Sequence, residues 1–225
     1  MSDILVRLWQ WTPMLAEGFA MNVAISVSAM ACGTLIGLFV GLGRLSAARP
    51  VRALCGGATH LLRNTPSIVL LFYLALILPA ELHLAGLAIP LPAWAKAIVG
   101  LSMPVIGFMS DATYGAVRAV PALQWDAAAC LPLGRLRTYA DVVLPQTMPL
   151  LLPPWASYFA IILMASSTAA LVGVEEILSR ATVAMEADPD PAFIIPVYFY
   201  VLLWFFAFCY PVSRLTHRLG RRAWR

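Results

Sequence analysis

Charge is scarce in this sequence: only 12% of its 225 residues are Asp, Glu, Lys or Arg. A soluble domain carries roughly 25%. Lysine occurs once, at Lys96. The four cysteines lack framework spacing or a Cys-x-x-Cys pair: Cys32 and Cys209 sit inside apolar runs, and Cys55 and Cys130 flank basic segments. A disulfide scaffold is therefore excluded, and so are a disordered tail and a collagen-like rod, since none is this apolar and charge-poor. Catalytic signatures are missing as well. A P-loop needs Gly-Lys-Ser/Thr, but Lys96 follows Ala95; no H-E-x-x-H, G-x-S-x-G or paired-carboxylate arrangement occurs either. His60, His83 and His217 are scattered through loops and termini, against a three-histidine metal site. The expectation is a chain that is no enzyme and holds no metal or cofactor of its own.

Apolar side chains are abundant, at 61% of the residues, and the mean hydropathy is +0.84. A water-soluble core of this size cannot hide that much surface, so the solvent is lipid. A bilayer core about 30 Å thick needs roughly 20 apolar residues as helix. Five segments qualify: 18–42, 61–79, 92–117, 148–174 and 193–212. The first is too long, and lacks the basic flank, to be a cleavable signal. Cytoplasmic faces gather Lys and Arg. Arg7, Lys96 and Arg180 alone fall on one set of faces, together with Asp3, Glu17, Glu81, Glu175, Glu176, Glu186, Asp188 and Asp190; the other twelve basic residues fall on the opposite set. The net charge of +4 thus reflects membrane orientation rather than a nucleic-acid face. The expected fold is an all-α integral membrane domain spanning residues 1–225, with about five transmembrane helices, the N-terminus outside and the C-terminus cytoplasmic.

The cytoplasmic segment 118–146 is too long for a helix hairpin, which takes about 2–8 residues, and has no Ser/Gly runs of a linker. Its pattern predicts two short helices broken near Pro132-Leu133-Gly134, the second covering Leu136 to Leu144. Trp125 with Ala128, and Leu133 with Leu136, offer apolar faces that need a cover. An amphipathic strip lying on the lipid surface is the alternative that these residues leave open.

Asp126-Ala127-Ala128-Ala129-Cys130-Leu131-Pro132, then nine residues, then Val142-Val143-Leu144-Pro145, resembles the EAA loop of ABC-importer permeases, E-A-A-x-x-x-G-x9-I-x-L-P. The polar amino-acid branch of that family is resembled in particular. Arg63-Asn64-Thr65-Pro66 is similar to its R-G-T-P, Val120-Pro121-Ala122-Leu123-Gln124-Trp125 to its V-P-x-G-Q-W, Leu144-Pro145-Gln146 to its L-P-Q, and Leu171-Val172-Gly173-Val174-Glu175-Glu176-Ile177 to its S-V-I-G-V-E-E-L. The likeness runs from about Met21 to Ile177.

That resemblance implies a MetI-like permease subunit in a bacterial inner membrane, working with a second permease subunit, two cytoplasmic ATPase subunits that bind ATP and Mg, and an extracytoplasmic substrate-binding protein. It also implies that Asp126, Ala127, Ala128, Pro132, Gly134, Leu144 and Pro145 form a coupling helix lodged in a groove of the ATPase. Small Ala127 and Ala128 allow close approach, Asp126 offers a carboxylate, and Pro145 is expected to end the second helical piece. Three positions depart from the family: Pro132 replaces a glycine, Tyr114 an arginine and Met164 a lysine. Gly134 is the substitute expected to close the turn. These departures suggest one half of a permease heterodimer. Another ABC-importer branch, for peptides or anions, fits Arg63–Pro66 and Val120–Trp125 less well. A stand-alone channel or secondary carrier would need paired mid-membrane charges or broken inverted repeats.

Three intramembrane features stand out. Ala29, Gly33, Gly37 and Gly41 recur every four residues, a stripe suited to helix packing or to flexibility during transport. Ser166-Ser167-Thr168 can bond to carbonyls one turn back or contact substrate. Asp111 is the one ionisable residue well inside a predicted span; it is expected to pair with Tyr114, Arg118, Arg63 or a second subunit, or to contact the substrate's ammonium. Asp111, Ser166 and Ser167 are therefore the candidate pathway residues.

Overall fold

A computed structural model describes residues 2–84, 87–134, 137–188 and 190–223. Arg135, Leu136 and Arg225, and the side chains of Asp3, His217, Arg218, Arg221 and Arg222, lie outside the described residues. Helix α1 covers Ser2–Gly43, α2 Arg49–Asn64, α3 Ser67–Ile77 and α4 Ala93–Arg118. A short α5, Ala122–Ala129, is followed by a π turn at Thr138–Val143 that runs into α6, Leu144–Ala165. A 3-10 helix, Ser166–Val172, then leads to α7, Ile177–Ala187, and a second, Pro191–Phe193, to α8, Ile194–Ala223. Among the described residues, four helical stretches are long and apolar enough to cross a membrane, and α2 with α3 supplies a fifth only as a broken pair. Between α3 and α4 the loop carries a two-stranded antiparallel hairpin, β1 Glu81–Leu84 and β2 Leu87–Pro90, with Glu81 opposite Pro90.

Helix α1 is longer than its apolar run. At 1.5 Å per residue its 42 residues extend about 63 Å, roughly twice the hydrocarbon thickness. The extra turns form because Ile4, Leu8, Trp11 and Leu15 recur on one helical face and pack with Val197 and Val201 of α8. Arg7 closes this contact on Asp188 at 3.0 Å and Asp190 at 3.5 Å.

The expected span at 61–79 is broken. Pro66 has no N–H and pushes Thr65 to extended geometry (φ −84°, ψ 130°), so α2 stops and α3 starts anew. Eleven-residue α3 reaches about 16 Å, too short to cross by itself. Its last carbonyls are covered by Lys96, whose Nζ donates to Leu78 O at 2.8 Å and Ala75 O at 3.4 Å; a cation there also suits the helix dipole.

Two compact units make up the chain. Met1–Ala31, Pro66–Met103 and Phe159–Pro211 form the first; Cys32–Thr65, Pro104–Tyr158 and Val212–Arg225 form the second. The core of the first holds Leu8, Leu15, Phe19, Leu163, Ile177, Phe193 and Val197. Phe19 packs edge-on against Phe205 at 5.4 Å and Phe208 at 5.9 Å. In the second, a small core of Val117, Val120 and Val143 is flanked by Leu42, Leu45, Trp125 and Tyr139.

Candidate functional site

The resembled coupling motif falls on α5, which lies in the second unit. Its two faces differ. Trp125 turns inward, edge-on to Tyr139 at 5.4 Å, and Ala128 beside it is 3% exposed. These contacts supply the cover that Trp125 and Ala128 require. The other face carries Leu123 (75% exposed), Asp126, Ala127 and Cys130, and Leu131 follows in the turn, all exposed. Their spacing of three to four residues makes one stripe. Leu123 and Leu131 belong to it although motif matching passed over them; helical periodicity was the signal that could have found them.

The turn after α5 needs no left-handed residue. Leu133 N donates to Leu131 O at 2.7 Å, placing Pro132 at the centre of a three-residue turn. The inverse form of that turn has a central φ near −75°, which a proline ring supplies. Proline therefore stands where the family has glycine without strain. The expected takeover by Gly134 does not occur: Gly173, at φ 87°, is the only positive-φ glycine among the described residues. Gly134 instead offers its carbonyl to Thr138 N at 3.0 Å. Pro145 does not end a helix either. Leu144 N donates five residues back to Tyr139 O, so a widened turn feeds straight into α6, with Pro145 just after it. The stretch from Thr138 to Val172 is thus one continuous helical run, not a separate short helix followed by a span. Gln146 Nε2 donates to Val142 O at 2.8 Å and approaches Gln124 Oε1 at 3.5 Å, tying α5 to α6.

Asp111, also in the second unit, receives two guanidinium groups. Arg63 donates to its Oδ2 and Arg44 to its Oδ1, the latter at 3.1 Å. Arg63 was among the expected partners; Arg44 was not. The Arg44 guanidinium lies 4.2 Å from the centre of the Tyr114 ring, and Arg118 donates to the Tyr114 hydroxyl at 3.0 Å. Tyr114, the residue that replaces the family arginine, thus stacks on one arginine and accepts from another. Glycines permit this convergence. A Cβ on Gly107, one turn before Asp111, would lie 2.9 Å from Arg63 N. On Gly37 it would lie 2.6 Å from Met109 Cβ, and on Gly41 2.7 Å from Ser110 O. Gly33 is buried with them on α1. A cavity of about 540 Å³ opens beside the ion cluster, lined by Arg63, Asp111, Phe108, Gly115, Pro149 and Pro153 among others.

Ser166 sits in a different assembly, in the first unit. Asn22 on α1 donates to Ser166 Oγ at 2.9 Å and to Glu176 Oε2 at 3.0 Å, while its Oδ1 accepts from Ile177 N at 3.1 Å. Glu176 Oε1 accepts from Ser179 N at 2.8 Å, capping α7. Asn22, Ser166 and Glu176 are all fully buried. Burial raises the Glu176 carboxyl above its ordinary pKa, opposed in part by its hydrogen bonds from Asn22 and the α7 backbone. Gly18 makes room for the turn: an added Cβ would meet Ile177 N and Cα at 2.8 Å. Each hydroxyl of the Ser166–Thr168 run donates to the carbonyl three residues back, at 2.7 to 2.8 Å. Ser167 is half-buried. Asn22 and Gly18 carried no motif that marked them.

Among the described residues, no group of three or more His, Cys, Asp and Glu could hold a metal ion. Residues 33–225 match the family of binding-protein-dependent transport system inner membrane components. A probable amino-acid ABC transporter permease protein of Bacillus subtilis, YckA, is 30% identical over 76% of this chain and 73% of its own. The L-cystine transport system permease protein TcyB of the same organism is 24% identical over 93% and 86%. In fold, the crystal structure of an amino acid ABC transporter with histidines superposes with a TM-score of 0.81 over 96% of this chain and 97% of that one, at 21% identity. With a family match over residues 33–225, most of its length, and a predominantly helical fold, the chain belongs to the binding-protein-dependent transport system inner membrane components.

Proposed function

We propose that this chain is the membrane-spanning subunit of an ATP-driven importer that carries a polar amino acid into the cytoplasm. The observation that carries the reading is the outward stripe of α5. Leu123, Asp126 and Ala127 stand exposed on a helix whose opposite face is anchored through Trp125 to Tyr139, and Leu131 is exposed in the turn that follows it. An apolar stripe with one carboxylate, on a rigidly backed helix, suits a partner's groove. Force applied there passes through Tyr139 and the unbroken run into α6. ATP and Mg bind to the partner ATPase, two copies of which work with two permease subunits and an extracytoplasmic binding protein. The second permease differs in sequence from this one and retains the arginine and lysine that are Tyr114 and Met164 here.

The arginine distribution supports an orientation with α5 and the Arg44–Asp111–Arg63 cluster toward the cytoplasm of a bacterial inner membrane and the N-terminus outside. Asp111, part-exposed beside its cavity, is a pathway residue in this reading. Ser167, half-buried, keeps partial access for such a role, whereas Ser166 is fully buried and committed to Asn22. The relatives that carry cystine and other amino acids support the substrate class. A cysteine introduced at Ala127 should crosslink to a nucleotide-hydrolysing subunit, and ATP-dependent uptake of a labelled amino acid should be lost on crosslinking. Uptake that continues with no such subunit present would overturn the proposal.

A further inference from the structure

A groove of about 1090 Å³ lies on the inward side of α5, away from the stripe assigned to the ATPase. Leu42, Leu45, Ala128, Leu133 and Leu144 give it apolar walls, Trp125 and Tyr139 line it with aromatic rings, and among the described residues Arg52 is its one charged lining residue. Arg52 is exposed and uses one N–H on Ser46 O at 3.2 Å, leaving donors of its guanidinium for another acceptor. Arg49, three residues earlier on the same face of α2, is exposed too. The first turn of α2 has no acidic residue, and its N-cap, Ala48, provides no side-chain acceptor. Asp126 and Asp141 are the nearby carboxylates, and neither lines the groove. Val51 (43%) and Leu54 (76%) continue an exposed apolar surface along α2.

Apolar walls, interfacial aromatics and an uncompensated arginine rim match one amphiphile: an acyl chain joined to an anionic headgroup. We infer that the groove binds an anionic phospholipid of the cytoplasmic leaflet, its phosphate on Arg52 and Arg49 and its acyl chain against Leu42, Leu45, Trp125 and Tyr139. The inference rests on the membrane orientation proposed above. A lipid seated there touches the inner face of the helix whose outer face meets the ATPase, so leaflet charge is read at the coupling contact.

The test uses the assembled transporter in nanodiscs of phosphatidylcholine, with or without phosphatidylglycerol. Native mass spectrometry reports the lipid retained, and a photo-crosslinking residue at Ala129, which lines the groove, reports what occupies it. Wild type should retain phosphatidylglycerol in preference to phosphatidylcholine and crosslink to it. Arg52→Gln should lower that preference about fivefold, since an arginine near an anionic surface is worth about that factor; Arg52→Lys should restore most of it, and Arg49→Gln added to Arg52→Gln should lower it further. Equal retention by wild type and Arg52→Gln, or crosslinks from Ala129 only to the ATPase, overturns the lipid site. Uptake assayed on the same variants in sealed proteoliposomes of the same two lipid compositions separates the two proposals: absent uptake with Arg52-dependent lipid retention defeats the transport reading and leaves the lipid site standing.

Discussion

Two polar assemblies sit within this apolar chain, and they are built on opposite principles. In the first unit, Asn22, Ser166 and Glu176 are wholly buried, and a single neutral side chain satisfies three partners without any cation. In the second, Asp111 is met by two arginines, the cluster carries excess positive charge, and Asp111 and Arg63 keep 37% and 54% side-chain exposure. A buried, fully paired network is costly to disturb and specifies one arrangement. A half-solvated ion cluster loses less when one contact goes, because water and the remaining partner compensate. The first is suited to holding the Gly173–Ile177 turn against α1. The second is suited to exchanging partners.

The sharpest way to break this contrast is Asn22→Ala. It leaves Glu176 Oε2 and the Ile177 N–H unpaired in a fully buried site, while Ser166 keeps Leu163 O and Glu176 Oε1 keeps Ser179 N. At about 1–3 kcal/mol for each buried group left unpaired, the loss should reach about 3–5 kcal/mol. A steep drop in the thermal midpoint of the purified protein would show it; a midpoint near wild type would refute the claim that the knot holds the fold. Asp111→Asn should cost less, about 1–3 kcal/mol, because Arg44, at 12% side-chain exposure, loses its counter-charge while Arg63 turns to solvent. A double-mutant cycle with Arg44→Gln should give clear coupling, and strict additivity would show that the pair contributes nothing.

A smaller effect separates the two carboxylates by pH. The folded-state pKa of Glu176 lies above the unfolded value of about 4.3. Between those two values the folded protein therefore holds more proton than the unfolded one. Stability falls as pH rises through that window and is level above it. Thermal midpoints across acidic pH should show this decline in wild type and not in Glu176→Gln; an identical slope in both would exclude Glu176 as its source. The smallest effect on the fold is expected from Leu123→Ser, within about 0.5 kcal/mol, with a marked loss of ATPase co-purification. Unchanged co-purification would remove Leu123 from the coupling stripe.

How far each feature was legible in the sequence follows from the range of the interactions behind it. The hydroxyl bonds of Ser166–Thr168 are local and could be read from residue type alone. So could Arg63 as a partner for Asp111, since both fall near one predicted face. Arg44 could not, because it is 67 residues away and reaches Asp111 only where Gly37 and Gly41 let two helices close. The Asn22 knot was invisible for the same reason: an asparagine in an apolar run has no motif, and its partners lie more than 140 residues along the chain. Gly134 was misjudged because a three-residue turn that accepts proline dissolves the need for a flexible residue.

Composition and spacing by themselves determined that the solvent is lipid and that the chain is helical, and motif register carried the resemblance at Asp126–Pro145, because burial of apolar surface and motif register are one-dimensional properties. Tertiary structure alone decided that the first helix extends so far beyond its apolar run, that Arg44 joins Arg63 on Asp111, and which face of α5 is anchored and which is free. Those outcomes depend on side chains distant in sequence meeting at close packing, and no periodicity along the chain encodes which distant helix a given face will find.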